Sequence, residues 1–129
     1  VKLTIVVLDN GGYGCINRLQ MATGGANFNN LLKDTRHVTI PAIDFRAHAE
    51  SLGALAVKAA SLAELETALA IARTADRTSV IVIDTDPLKT TEGGGAWWDV
   101  AIPAVSVRET VNAARSKYEK ALNKQRIAN

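Results

Sequence analysis

Two rhythms of apolar and polar positions run along this chain. Leu3-Thr4-Ile5-Val6-Val7-Leu8 and Ser79-Val80-Ile81-Val82-Ile83 are unbroken β-branched and leucine runs, ended by the polar residues Asp9 and Asp84. Of these runs, the first suits a strand covered on both faces, as in a parallel sheet. They predict strands over Lys2 to Leu8 and Thr78 to Asp84, with a shorter one over Ala54 to Lys58. Elsewhere apolar residues recur every three or four positions. Asp44 reads as an N-cap, with Phe45, His48, Ala49 and Leu52 at helical spacing and Gly53 as the stop. Ser61 opens a second helix with Glu64 three residues on, a capping-box pattern. Its predicted apolar stripe is Leu62, Leu65, Leu69 and Ile71 or Ala72, a face suited to a sheet. A last helix is expected from Ser106 or Val107 to about Gln125, and a short one over Cys15 to Met21.

Two stretches lack either rhythm. Ala22 to His37 is polar and rich in Gly and Asn, and long irregular segments of this kind are usually functional or mobile. Leu88 to Pro103 carries Gly93-Gly94-Gly95 and Trp97-Trp98. The alternation of strands and helices predicts an α/β fold with a mostly parallel sheet and helices on both faces. A central-type strand this near Val1, with no initiator Met and no leading turn, is expected of a piece of a larger protein.

Composition narrows the function classes. The 129 residues suffice for one domain with a core, and 47% apolar and 22% charged residues are ordinary for a globular protein. A net charge of +2 is too small to imply nucleic acid. The basic residues Arg115, Lys117, Lys120, Lys124 and Arg126 read most simply as a solvated helix face. No apolar run is long enough to span a membrane. The one cysteine, Cys15, rules out an internal disulfide and fits a reducing cytoplasm.

The candidate chemistry lies where the first strand ends, at Asp9-Asn10-Gly11-Gly12-Tyr13-Gly14. Open α/β sheets place ligands at the carboxyl ends of their strands. The Asn10 side-chain oxygen and the Gly12 carbonyl are hard donors of the kind Mg²⁺ prefers, with phosphate oxygens completing the shell. Gly11 and Gly12 let the backbone approach a diphosphate without a Cβ in the way. Taken alone, the same residues favour a plain tight turn. The glycines at 11, 12 and 14 do not make a dinucleotide fingerprint.

Leu8 to Gly14 resembles the second half of the cofactor motif of thiamine-diphosphate-dependent enzymes. In that family a Gly-Asp-Gly begins the motif and a strand ending in Asn-Asn closes it, often followed by Tyr-Gly. Here Asp9 stands in place of the first Asn. The resemblance implies that Asn10 and Gly12 ligate Mg²⁺ and that Asn10, Gly11, Gly12 and Tyr13 contact the cofactor, thiamine diphosphate. Asp44-Phe45, His48-Ala49, Leu52-Gly53-Ala54, the helix from Ser61 and Val80 to Pro87 follow the order of the family's diphosphate-binding domain. Asp9 to Gln20, Phe28 to Leu32 and Thr90 to Val100, with its Trp-Trp-Asp-Val block, resemble an inositol-catabolic hydrolase branch. The resemblance implies residues 1–129 as the C-terminal part of a diphosphate-binding domain, truncated at its N-terminus. It also implies hydrolytic C–C cleavage that opens a cyclic polyol-derived 1,2-diketone, partnership with the remaining domains of one polypeptide, and a homo-oligomer. The Gly-Asp-Gly half and the activating Glu of the family lie outside these residues, so the isolated chain is expected to be inactive.

Other residues carry weaker signals. Ile16 occupies a position that is acidic in some decarboxylating relatives. No activating His is evident for Cys15, which argues against a nucleophile. Asn17, Arg18 and Gln20 suit substrate hydroxyls, but a solvated first helical turn is the simpler account. Asn27, Asn29 and Asn30 could order over a site or form a mobile loop. His37 and His48 lack metal-ligand spacing. Asp84 and Asp86 read as turn formers, and Trp97 and Trp98 as packing residues or walls of a substrate pocket. The rival classes are an acetolactate-synthase-like carboligase, a non-catalytic nucleotide- or partner-binding α/β domain, and an oligomerisation piece with an exposed sheet edge.

Overall fold

The computed structural model describes residues 1–89 and 100–125. Gly93 to Gly95, Trp97, Trp98 and Arg126 lie outside them. The chain divides into two compact units, Val1–Gly12 with His37–Pro87, and Tyr13–Arg36 with Leu88–Asn129.

The first unit is a three-stranded parallel sheet. Its strands are β1 (Thr4–Asp9), β2 (Leu55–Lys58) and β3 (Ser79–Asp84), in the order β1-β3-β2. The helices are numbered α1 to α4 in chain order; α2 (Phe45–Ser51) and α3 (Leu62–Thr74) belong to this unit. Successive side chains of β3 point to opposite faces. Val80 and Val82 pack with Ala49 and Phe45 of α2. Ile81 packs with Ala59 and with Ala68, Leu65 and Leu69 of α3. The sheet therefore carries helices on both faces, as the alternation of elements requires.

The caps explain where the helices start. Asp44 Oδ1 accepts the Ala47 N–H at 2.9 Å, and Ser61 Oγ accepts the Glu64 N–H at 3.2 Å. Glu64 reaches back to the N–H of Ala60, one residue before the usual capping-box target. Gly53 ends α2 with φ +86°, a left-handed conformation that favours glycine. At the far end of α3, Lys2 Nζ donates to the Arg73 and Ala75 carbonyls, tying β1's approach to that helix.

Two expectations are corrected. β3 is the strand covered on both faces, while β1 lies at an edge and leaves Ile5, Val6 and Leu8 exposed. Its apolar run has a strand neighbour on one side only among the described residues. On α3 the buried stripe is Leu65, Ala68, Leu69 and Ala72, whereas Leu62 and Ile71 are exposed. Two alanines let the helix approach the sheet closely, so small residues carry the face that a reading by hydrophobicity gave to larger ones.

The second unit holds α1 (Gly14–Ala22), a 3₁₀ turn (Leu32–Asp34) and α4 (Glu109–Leu122). Leu31, Ile102 and Val111 are buried in it. Gly24 has φ +83°, and a Cβ there would meet the Thr110 carbonyl oxygen at 2.3 Å. Thr110 Oγ1 donates to the Gly24 carbonyl at 2.7 Å. The segment after α1 is thus tied to the start of α4. Arg115 is not part of a solvated face: its Nη1 donates to the Ile102 carbonyl, its Nε to Glu119, and its guanidinium lies over Tyr118. Lys117, Lys120 and Lys124 are exposed as expected.

Candidate functional site

The turn after β1 is built from two consecutive side chain-to-backbone bonds. Asp9 Oδ1 accepts the Gly11 N–H at 2.8 Å, and Asn10 Oδ1 accepts the Gly12 N–H at 3.2 Å. Short Asx side chains make such turns because they reach the backbone two residues on. Gly11 has φ +66° and Gly12 φ +154°. A side chain at Gly11 would be strained by its backbone, not by crowding, since an added Cβ meets nothing within 4 Å. Space is therefore open beside the Gly11 Cα.

β3 anchors this turn from the neighbouring position. Thr85 donates both its N–H (2.7 Å) and its Oγ1 hydroxyl (3.2 Å) to the Asp9 carbonyl. Asp9 and Asp84 are partners in the β1–β3 register, so both carboxylates stand at the carboxyl rim. Asp84 accepts an ion pair from Lys58 Nζ at 2.7 Å. That bond to Asp84 holds the Lys58 ammonium above the ordinary lysine range, with Asp44 and Asp9 adding to it. Asp44 is held below the usual carboxylate range by the Ala47 N–H, helped by Arg46 and Lys58. Lys58 and Asp84 border an open cavity of about 420 Å³ together with Ala59 to Leu62. The sequence offered no signal for Lys58 beyond its place at a strand end.

The donor set can be tested against a metal ion. An amide oxygen at Asn10 and a carbonyl at Gly12 are neutral, hard donors, which suits Mg²⁺ when phosphate oxygens supply the negative charge. No group of three or more His, Cys, Asp or Glu able to hold a metal occurs among the described residues. The pair thus fits a metal brought with a diphosphate and completed by other donors, not a self-sufficient metal cage.

Residues of the second unit fare differently. The Tyr13 ring is exposed and its N–H donates to the Asn30 carbonyl at 2.6 Å. Cys15 is exposed and free. Asn17, expected on a solvated turn, is fully buried, and neither its amide oxygen nor its amide nitrogen has a partner among the described residues. Gln20 is an organiser of the loop: its side chain bonds the Ala26 carbonyl and the Asn30 amide, and its carbonyl accepts from Thr23 and Gly25. Asn29 takes φ +50°. The Asn-rich loop is held together through Gln20, by partners three to ten residues further along the chain.

Residues 1–83 match the family model described as thiamine pyrophosphate enzyme, C-terminal TPP binding domain. The chain is also similar to proteins named 3D-(3,5/4)-trihydroxycyclohexane-1,2-dione hydrolase. It is 37% identical to that of Geobacillus thermodenitrificans (strain NG80-2), over 92% of this chain and 20% of the relative. It is 33% identical to that of Listeria monocytogenes serotype 4b (strain F2365), over 98% and 20%. It is 34% identical to that of Bacillus subtilis (strain 168), over 94% and 19%. The chain spans about a fifth of the length of these relatives. No solved structure gives a significant match. With the parallel sheet and the Asn10–Gly12 turn at its carboxyl rim, these matches show that the chain belongs to the thiamine pyrophosphate enzymes, as their C-terminal TPP-binding domain.

Proposed function

We propose that this chain is the C-terminal, diphosphate-holding part of a longer hydrolase that opens the ring of trihydroxycyclohexane-1,2-dione by C–C cleavage in myo-inositol catabolism. The observation that carries the reading is a likeness of 33–37% over 92–98% of this chain to hydrolases of that name. The turn geometry supports the cofactor half of it. Asn10 would give its side-chain oxygen and Gly12 its carbonyl to Mg²⁺, which holds the diphosphate. Gly11 keeps the approach clear, and Tyr13 continues the cofactor-contacting stretch.

When bound, thiamine diphosphate supplies the nucleophilic carbon and the electron sink for C–C cleavage. The work of this chain's residues is positioning. The Asp9 and Asn10 side chains fix the turn, and Thr85 fixes the Asp9 carbonyl. By holding a metal–diphosphate group in one place, these residues would lower the entropic cost of reaction. The exposed Cys15 suits a reducing cytoplasm, and the open β1 edge suits a sheet continued by the rest of the polypeptide and a homo-oligomeric protein.

The test is an assay of the full natural polypeptide with thiamine diphosphate, Mg²⁺ and the cyclic diketone. Ring opening to a deoxy sugar acid is the expected result. Condensation of 2-oxo acids without ring opening would instead make the protein an acetolactate-synthase-like carboligase, and no turnover of either substrate would leave a non-catalytic binding domain. Residues 1–129 alone should show no turnover, because two neutral donors cannot hold the metal and diphosphate by themselves. Substantial turnover by residues 1–129 would overturn that.

A further inference from the structure

Three carboxylates converge on one face of the sheet at its carboxyl rim. Residues paired across a parallel ladder point to the same face, as do residues two apart on a strand. Val7 pairs with Val82, and both pack on the α2 side. Asp9 and Asp84, two residues further along their strands, share that face and are partners in register. Asp44 stands at the N-terminus of α2, which packs there. Lys58, the partner of Val82 in the β2–β3 register, is on the same face. Its Nζ is 2.7 Å from Asp84 Oδ2. Arg46 offers a further positive charge, but it is engaged by Glu50 at 2.7 Å and approaches Asp44 only to 3.9 Å.

This placement poses an electrostatic problem for the proposed site. Like charges side by side on neighbouring strands repel one another. A rim carrying three carboxylates also repels an incoming diphosphate. Both partners of the Lys58–Asp84 pair are exposed, so the pair contributes little to folding. Its effect lies in the field it sets at the rim.

We infer that Lys58 is a positioning residue of the diphosphate site: paired with Asp84, it offsets the negative field of Asp9, Asp44 and Asp84, so that an anionic diphosphate can approach the Asp9–Gly12 turn. The inference rests on the functional reading above, and it concerns charge and not shape.

The experiment is calorimetric titration of thiamine diphosphate, at fixed Mg²⁺, into the full natural polypeptide and three variants. Lys58→Met should bind roughly tenfold more weakly at low salt, with a smaller deficit relative to wild type at high salt, where screening mutes the rim. Lys58→Arg should keep near-native affinity. Lys58→Met combined with Asp84→Asn should recover most of the loss, because the charge that Lys58 offsets is gone. Thermal unfolding of all variants should stay close to wild type. Equal low-salt affinity for wild type and Lys58→Met would overturn the inference alone. So would a double variant no better than Lys58→Met, or a loss in Lys58→Arg as large as in Lys58→Met. Absence of binding by the wild type would overturn the functional reading and this inference with it.

Discussion

Asn17 buries an amide with neither of its polar atoms paired among the described residues. Such a group costs about 1–3 kcal/mol relative to a satisfied or apolar one. Replacement by the similarly sized Leu should therefore raise the urea midpoint of unfolding, by about 1–3 kcal/mol in stability; an unchanged or lowered midpoint would contradict that. The burial of Asn17 was not legible from its identity, since a polar residue in a first helical turn normally faces water. The only trace is its spacing of three from Gly14, the other buried residue of α1. The opposite holds for Asn10 and Gly11. An Asx side chain followed by glycines dictates its own turn, and the local bonds of Asp9 and Asn10 realise it. What a neighbour in sequence decides could be read; what a distant partner decides, as with Lys58 and Asp84, could not.

Helix ends follow the same division. Asp44 and Ser61 were recognisable because a cap acts on a backbone N–H three residues away. The buried face of α3 was only half legible: its period is helical, but whether Ala72 or Ile71 turns inward depends on how closely the sheet approaches. The Asp44 cap gives a pH dependence. Its carboxyl is held below the ordinary value of 3.8, chiefly by the Ala47 N–H. A depressed folded value adds stability that is present above the unfolded value and is lost as the pH falls through the folded one. Asn caps as well as Asp but does not titrate. Between about pH 5 and pH 3, the wild type should thus lose more stability than Asp44→Asn, as read by urea unfolding at each pH. Parallel losses in the two proteins would show that the cap does not depend on the Asp44 charge.

For the molecule as a whole, the α/β class and the parallel sheet were readable from the alternation of elements, but the order β1-β3-β2 was not. Both β1 and β3 are unbroken apolar runs, and nothing in their composition says which lies between neighbours. The consequence is physical: Ile5, Val6 and Leu8 are exposed on an edge strand, and such edges recruit further strands. Residues 1–129 alone should associate in light scattering, and a monodisperse monomer at high concentration would contradict that expectation.

The proposed role of Asn10, at the carboxyl rim, is to ligate the metal. Its most direct test is titration of thiamine diphosphate into the full natural polypeptide and its Asn10→Ala variant, with and without Mg²⁺. The wild type should bind only when Mg²⁺ is present, and the variant should bind at least about tenfold more weakly, since even outer-shell partners of a metal cost that much. Equal, Mg²⁺-dependent affinity in the two proteins would mean that Asn10 shapes a turn and nothing more.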